Sequence, residues 1–320
     1  MSIIKNQGDT MDAFVFPGQG SQFIGMGKDL YGAFGAAREV FQEVDDALSQ
    51  KLSHLMFEGD EKELMLTQNT QPALMTVSAA VIRILEKEGG VAIAPPRVAC
   101  VAGHSLGEYT ALVAAGVLSL RDAAKVLRVR GLAMQDAVPV GVGAMAALLG
   151  VDLETTEAII TAAAKGQVCD IANDNGGGQI VISGHADAIE RALEEAKTRG
   201  VKRAVKLSVS APFHSSLMAP AAGVMADALS KISLSPLNLP LIANVTATNA
   251  ALGEVKNLLV TQVTGRVRWR ESVDSFEGRG VTRVVEVGAG KVLTGLTKRI
   301  APALETLTLG TPAEIDAYLA

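Results

Sequence analysis

The sequence predicts an α/β protein with a mainly parallel sheet, into which a smaller unit of strands and helices is inserted. Apolar segments that run into Gly-rich loops and then into helices occur in the first and last thirds of the chain, as in parallel sheets covered by helices. Between residues 140 and 209 the order of predicted elements changes to β-α-β-β-α-β. The chain has 320 residues, of which 48% are hydrophobic and 20% charged, so it can bury a sizeable core in one large or two unequal domains.

The larger part begins with residues 12–139. Its second strand is a continuous apolar run, typical of a strand covered by helices on both faces, and its last helix ends at Pro139. The predicted strands are Asp12–Phe16 and Val98–Ala102, and the predicted helices are Glu108–Leu118 and Arg121–Ala137.

The inserted unit, residues 140–209, has the ferredoxin-like order of elements. Its predicted elements are a strand Ala144–Val151, a helix Glu154–Ala164, strands Cys169–Asn173 and Gln179–Ser183, a helix Ala186–Thr198 and a strand Val201–Val209. Residues 210–320 return to the larger part, with helices Leu217–Ile232 and Glu254–Val263 and strands Leu241–Val245 and Arg283–Val287. Residues 1–11 are predicted to be a disordered extension.

The composition excludes several classes of protein. The net charge is −5, basic residues are scattered and aromatic residues make up 4%, which argues against a nucleic-acid partner. No apolar run reaches the roughly 18 residues of a membrane-spanning helix. The first ten residues lack the pattern of a secretory signal, so we expect the cytoplasm. The two cysteines, Cys100 and Cys169, are far apart and are expected to be buried thiols.

The segment Gly103-His-Ser-Leu-Gly107 matches the nucleophile elbow G-x-S-x-G between a predicted strand and a predicted helix. In such an elbow the serine stands on a tight turn, and the N–H groups that begin the helix point towards charge that develops beside it. The sequence therefore indicates Ser105 as a nucleophile, with a Gly-rich turn and a capping serine as the alternative.

A serine nucleophile needs a base, and the chain has four histidines. His54 is predicted on the surface, His185 at the start of a helix as a cap or exposed, and His104 beside the serine as packing support. His214 lies in a loop after the inserted unit, which suits a general base. No acidic residue stands out as a third member, so a main-chain or amide carbonyl can orient His214 instead.

Arg130 is the second informative charge. Its neighbours at helical spacing, Val126, Leu127, Ala133 and Met134, are all apolar, so the guanidinium is predicted to point into the protein. A buried guanidinium needs an anion, which can be a substrate or a distant carboxylate of the chain.

The remaining Gly-rich segments do not match a nucleotide-binding pattern. Phe23 stands where a dinucleotide fingerprint needs glycine, and Val285 and Val292 stand at the required positions of a phosphate loop. No group of His, Cys and Asp has metal-ligand spacing. We therefore expect no nucleotide cofactor and no metal.

Five segments together resemble the malonyl-CoA:acyl carrier protein transacylases of bacterial type II fatty acid synthesis, and the resemblance runs from about residue 12 to the end of the chain. They are Phe16-Pro-Gly-Gln-Gly-Ser-Gln22, Gly103-His-Ser-Leu-Gly-Glu-Tyr109, Arg130-Gly-Leu-Ala-Met-Gln135, Ala211-Pro-Phe-His214 and Glu286-Val-Gly-Ala-Gly-Lys-Val-Leu293. The resemblance implies an α/β-hydrolase-like large subdomain with an inserted ferredoxin-like one.

The resemblance also implies a role for each matched residue. Ser105 would be acylated with His214 as its base, and the backbone N–H groups of Leu106 and Gln19 would form the oxyanion hole. Arg130 would hold the malonyl carboxylate in two parallel hydrogen bonds. The Gln262 main-chain carbonyl would orient the histidine, and Phe213 and Leu106 fit a preference for malonyl over methylmalonyl.

The implied enzyme is an acyltransferase, a monomer, that moves malonyl from malonyl-CoA to the phosphopantetheine thiol of acyl carrier protein through a malonyl-serine. Two alternatives remain from the residues alone. A serine hydrolase or thioesterase shares the Ser-His pair, although Arg130 and the inserted unit argue against it. A non-catalytic module that binds carrier protein shares the fold, although the intact Ser105, His214 and Arg130 argue against that.

Overall fold

The computed structural model describes residues 10–209 and 211–320. The extension predicted over residues 1–11 lies almost wholly outside the described residues. The described part contains one parallel and one antiparallel sheet, which confirms the predicted fold class. The strands are, in chain order, β1 (Asp12–Phe16), β2 (Val98–Gly103), β3 (Gly143–Leu149), β4 (Cys169–Asp174), β5 (Gln179–His185), β6 (Arg203–Lys206), β7 (Leu241–Ile242), β8 (Arg283–Val287) and β9 (Glu305–Leu309).

Helices surround both sheets. In chain order they are α1 (Lys28–Ala33), α2 (Gly35–Leu48), α3 (Leu52–Glu58), α4 (Glu61–Met65), α5 (Thr67–Lys87), α6 (Gly107–Ala114), α7 (Leu120–Asp136), α8 (Leu153–Ala164), α9 (Ala186–Thr198), α10 (Ala219–Ser230), α11 (Val255–Thr264), α12 (Trp269–Glu277), α13 (Val292–Ile300) and α14 (Pro312–Leu319). Within the described ranges, none of them is both long and apolar enough to cross a membrane.

The large sheet has the strand order β7-β2-β1-β8-β9, and all its strand pairs are parallel. The central strand β1 is buried at every position, because helices cover both faces of the sheet. The chain leaves β1 towards β2 on one side and returns later to β8 on the other. Such a reversal beside a central strand opens a crevice at the carboxyl ends of the strands, where ligands bind in open α/β sheets.

The small sheet has the order β4-β5-β3-β6 with antiparallel pairing, which agrees with the predicted ferredoxin-like order. Helices α8 and α9 pack on it, and their apolar residues form a core separate from that of the large sheet. Alternating residues of β5 divide between the two: Ile180 and Ile182 face the small core, whereas Val181 belongs to the large one. The small sheet therefore contributes one wall of the space between the two units.

Several predicted boundaries are wrong. The helix predicted over Glu108–Leu118 ends at Ala114, because Gly116 adopts a left-handed conformation with φ of 71°. The strand predicted over Val201–Val209 pairs only at Arg203–Lys206, and the one over Leu241–Val245 only at its first two residues. The helix predicted from Leu217 begins with a 3₁₀ turn and becomes α-helical at Ala219.

Helices α1, α2, α4 and α5, between β1 and β2, were not predicted. The longest of them, α5, is buried around most of its circumference, including its polar residues Asn69, Thr70 and Gln71. A helix buried on every side has no polar stripe, so its 3.6-residue period is not visible in the sequence.

Candidate active site

Ser105 lies directly after β2, at the carboxyl end of the large sheet. Its φ is 54°, a left-handed conformation that L-residues adopt at a cost. A Cβ on Gly103 would lie 2.0 Å from the carbonyl of Gly107, and one on Gly107 would lie 2.3 Å from the carbonyl oxygen of Phe16. Both positions therefore require glycine for the turn to close, and the turn aims the serine hydroxyl into the crevice.

His214 reaches this hydroxyl from the loop before α10. Its Nε2 lies 2.7 Å from Ser105 Oγ, and its Nδ1 lies 2.9 Å from the main-chain oxygen of Gln262 and 3.1 Å from that of Gly265. Two carbonyl oxygens at Nδ1 require the proton on that nitrogen, which leaves Nε2 as the acceptor. The imidazole is oriented to take the proton of Ser105.

The environment of His214 favours its neutral form. The residue is 4% exposed. Burial, followed by the positive charge of Arg130, lowers the pKa of His214 from its ordinary value to about 3. The imidazole is therefore uncharged near neutral pH and able to act as a base.

Arg130 comes from α7 and is 1% exposed. Its hydrogen-bond partners are neutral oxygens: Nη1 donates to Gln71 Oε1 at 2.9 Å, and Nη2 donates to Gln262 Oε1 at 2.8 Å and Ser105 Oγ at 3.1 Å. The guanidinium carbon lies 5.5 Å from the centre of the Tyr109 ring. Arg130 Nε is buried and has no hydrogen-bond partner among the described residues. Its charge is thus held in place without a carboxylate in contact.

Two residues that line the cavity with Ser105 have main-chain N–H groups without a protein acceptor among the described residues. Leu106 follows Ser105 at the start of α6, and Gln19 lies in the exposed loop after β1. In the described part of the chain, neither N–H donates to a protein acceptor. Both residues line the same cavity, so two donors and a helix N-terminus are available for a developing oxyanion.

The cavity has a volume of about 240 Å³ and lies between the two units. The large unit contributes Ser105, His214 and Arg130, with Phe213 and Met134, and the small unit contributes Met145 of β3 and Val181 of β5. Phe213 is 8% exposed and precedes the base. The structure brings every predicted site residue, Ser105, His214, Arg130, Gln19, Leu106, Phe213 and Gln262, to this one cavity or its immediate wall.

Within the described residues, none of the other three histidines hydrogen-bonds to the serine hydroxyl. His104 Nε2 lies 2.9 Å from Asn175 Oδ1, and its ring packs against Trp269, which fits the predicted packing role. His54 is exposed on α3. His185 was predicted to be a helix cap or exposed. It stands at the N-cap position of α9, but its side chain makes no capping hydrogen bond, and its Nδ1 accepts from Val168 N instead.

Sequence reasoning missed three polar residues of the site. Gln71 binds Arg130, and Asn244 Oδ1 accepts from Ser105 N at 2.8 Å while its Nδ2 donates to Gly103 O at 2.7 Å. Glu108 is buried beside them. A polar residue just after the short strand β7 was a usable signal for Asn244, because such positions lie at the carboxyl edge of the sheet.

Comparisons with known proteins find relatives over nearly the whole chain. The model of the acyl transferase domain family matches residues 13–299. The malonyl CoA-acyl carrier protein transacylase of Bacillus subtilis (strain 168) is 47% identical over 306 residues, which are 95% of this chain and 95% of the relative. The transacylase of the same name from Escherichia coli (strain K12) is 44% identical over 97% of this chain and 99% of its own length.

Solved structures with a similar fold also cover nearly the whole chain. The crystal structure of an acyl-carrier-protein-S-malonyltransferase from Bartonella henselae has a TM-score of 0.94 and 56% identity, covering 97% of this chain and 98% of its own. A malonyl-transacylase in complex with the acyl-carrier protein of a type II PKS has a TM-score of 0.93 and 40% identity, covering 97% and 99%.

Proposed function

The chain belongs to the malonyl CoA-acyl carrier protein transacylase family, and we propose that Ser105 is its nucleophile, His214 its general base and Arg130 its ligand for the malonyl carboxylate. The enzyme is an acyltransferase that transfers malonyl from malonyl-CoA to acyl carrier protein for fatty acid synthesis. One observation carries the assignment of roles: Ser105 Oγ lies between His214 Nε2, at 2.7 Å, and Arg130 Nη2, at 3.1 Å.

The first half-reaction acylates the serine. Ser105 Oγ attacks the thioester carbon while its proton passes to His214 Nε2. The N–H groups of Leu106 and Gln19 hold the resulting oxyanion, where fixed donors stabilise charge more than water does. When the intermediate collapses, the carbon–sulfur bond breaks, the CoA sulfur takes the proton from His214, and malonyl-Ser105 remains.

The second half-reaction is the reverse of the first with a different thiol. The phosphopantetheine thiol of acyl carrier protein gives its proton to His214 and attacks malonyl-Ser105. The serine then leaves as an alkoxide and recovers the proton. A thioester is exchanged for a thioester, so we expect an equilibrium near unity and ping-pong kinetics.

Arg130 accounts for the selection of an acyl group that carries a carboxylate. The guanidinium is buried, charged and bound only to neutral oxygens, and its Nε is unpaired. A carboxylate can accept two parallel hydrogen bonds from a guanidinium. The bound carboxylate also offsets the charge that lowers the pKa of His214, so the imidazole becomes a stronger base when malonyl is bound.

We also propose that residues 12–139 and 210–320 form the catalytic subdomain and residues 140–209 the inserted one. In support, residues 12–139 and 210–320 contain the Ser105 elbow, the His214 loop and helix α7. Every candidate group belongs to this one chain, which is consistent with a monomer that works without a second copy.

We propose the cytoplasm as its location. Both cysteines are free and buried, as is usual in reducing compartments. Burial raises the pKa of Cys100 to about 12 and that of Cys169 to about 11, so neither thiol is reactive.

The test is an intact-mass spectrum after mixing with malonyl-CoA alone. We expect one malonyl adduct on the protein, none on Ser105→Ala, and a normal adduct on the control Ser230→Ala, whose serine is exposed on α10. An equal adduct on Ser105→Ala would contradict the nucleophile. Rapid release of malonate without any thiol acceptor would indicate a hydrolase instead of a transferase.

A further inference from the structure

Glu108 is a buried carboxylate that the mechanism above does not use. It lies in the first turn of α6, three residues after Ser105, and is 1% exposed. One oxygen, Oε2, accepts both of its strong contacts, from Gln262 Nε2 at 2.7 Å and from Asn244 N at 3.1 Å. The same carboxylate therefore touches a ligand of Arg130 and the residue that braces the Ser105 turn.

The contact of Glu108 with Gln262 is the shortest of the hydrogen bonds that fix which end of this amide faces Arg130. Gln262 Nε2 also donates to the main-chain oxygen of Ser105 at 3.0 Å, while its Oε1 accepts from Arg130 Nη2 at 2.8 Å. If the amide turned over, its oxygen would face two acceptors and its NH₂ would face a guanidinium. That arrangement leaves buried groups unpaired, which is costly.

Glu108 also places a negative charge near Arg130 without using any of the guanidinium's hydrogen-bond donors. The hydrogen-bond partners of the guanidinium are neutral, and Glu108 is joined to it by a hydrogen-bond path through Gln262 and by the attraction between the two charges. Burial raises the pKa of Glu108 to about 7, against the opposing effect of hydrogen bonds from Gln262 and Asn244 and the charge of Arg130. Oε2 can accept the two bonds whether or not the other oxygen is protonated.

On the basis of the proposed carboxylate role of Arg130, we propose that Glu108 is a positioning residue that holds the Gln262 amide with its oxygen towards Arg130. It thereby aligns the guanidinium for an acyl donor that carries a carboxylate and leaves its binding face open. The enzyme's preference for malonyl over acetyl donors thus depends on a carboxylate that does not touch the substrate.

The experiment compares kcat/KM for malonyl-CoA and acetyl-CoA in Glu108→Leu and Glu108→Gln. Leucine removes both acceptor contacts at similar volume, so the Gln262 amide keeps only its weaker contacts on that side, and the alignment of Arg130 is loosened. We expect the malonyl-to-acetyl ratio to fall about tenfold, chiefly through KM for malonyl-CoA, since small misplacements near a reacting group cost up to about 10²-fold. Glu108→Gln keeps an oxygen for both contacts and should recover most of the ratio.

Two controls separate positioning from a general structural role. Glu157→Leu, at an exposed site on α8, should leave the ratio unchanged. In an Arg130→Ala background, Glu108→Leu should produce no further change in the ratio, because the effect passes through Arg130.

An equal fall for both donors in Glu108→Leu, or a fall in the ratio that persists in the Arg130→Ala background, would overturn the inference. If Glu108→Leu does not fold, Glu108→Asp, which withdraws the oxygen by one methylene, is tested by the same criteria. If Arg130→Ala itself leaves the ratio unchanged, the carboxylate role of Arg130 is wrong, and this inference is overturned with it.

Discussion

The two ends of the large parallel sheet each hold a buried charged side chain, and the two side chains have different kinds of partners. At the amino end, Asp12 of β1 is fully buried and accepts from Arg283 Nε at 2.8 Å, Arg283 Nη2 at 2.9 Å and Tyr318 Oη at 2.7 Å. Asp12 and Arg283 lie in register on adjacent strands. At the carboxyl end, Arg130 is as deeply buried but has only neutral oxygens as partners.

The difference separates a structural ion pair from a binding site. A buried charge whose opposite charge is supplied by the fold has no capacity left for a ligand, and its role is in stability. A buried charge whose direct hydrogen-bond partners are all neutral keeps its attraction for an external ion. We therefore expect substitutions at the amino end to affect unfolding and substitutions at the carboxyl end to affect the reaction.

The largest effect is expected at the carboxyl end, from His214→Ala. Loss of the base should slow acylation of Ser105 by about 10²–10⁴-fold, the usual contribution of general-base catalysis. The measurement is the rate of adduct formation in quenched intact-mass spectra, with circular dichroism to show that the fold is kept. Near-normal acylation in a folded variant would place the base elsewhere, and His104 would be tested next.

At the amino end, Arg283→Ala should lower the free energy of unfolding and leave the reaction rate unchanged. It leaves Asp12 buried without its opposite charge, which typically costs about 3–5 kcal/mol in the free energy of unfolding. Denaturant unfolding measures this loss, and kcat/KM of the folded fraction should stay at the wild-type value. A loss of activity in the folded fraction would contradict the purely structural role of Arg283.

Arg130→Ala should show the converse behaviour. Truncating one partner of a buried charge pair costs about 2–5 kcal/mol in binding, so most activity with malonyl-CoA should be lost. A weak reaction with acetyl-CoA, which has no carboxylate, should be kept or increased. Arg130→Lys should recover only part, because an ammonium cannot form two parallel bonds.

The comparison to make for Arg130 is kcat/KM for both donors in wild type, Arg130→Ala and Arg130→Lys. A malonyl-to-acetyl ratio that is equal in wild type and Arg130→Ala would show that Arg130 is structural, like Arg283.

The smallest effect is expected from pH. Burial and the charge of Arg130 lower the pKa of His214 to about 3, well below the ordinary value of about 6.5. The neutral imidazole therefore persists as the pH falls through 6.5, and kcat/KM for acylation should show no loss from His214 until the pH is far lower. The same shift makes the folded state lose stability as the pH falls from about 6.5 towards 3, because the unfolded chain binds the proton first.

A pH profile of acylation in wild type and in Glu108→Gln tests this expectation. Glu108, whose pKa burial raises to about 7, is the other group near the site that titrates in this range, and the variant removes it. A fall in activity centred near pH 6.5 in both proteins would contradict the lowered pKa of His214.

The sequence was sufficient to predict the elements whose residue pattern is set by their immediate neighbours in the chain. Strands Asp12–Phe16 and Arg283–Val287 were predicted with their observed bounds, because short segments rich in Val and Phe that run into Gly-containing loops are typical of strands. The inserted unit was predicted from its alternating elements. Helix α5 was not, because its near-complete burial removes the amphipathic period.

For the site, the sequence by itself determined the Ser105 turn and the inward direction of Arg130. The first follows from glycines that allow a close backbone approach, and the second from apolar neighbours one helical turn away. Only the tertiary structure decided what surrounds them. Gln262 is 132 residues from Arg130 and 154 from Glu108, and Asn244 is 139 from Ser105. Contacts over such separations depend on how strands and helices pack, and no local period encodes them. The orientation of the Gln262 amide, and the lack of a carboxylate hydrogen-bonded directly to Arg130 among the described residues, are therefore properties of the folded chain alone.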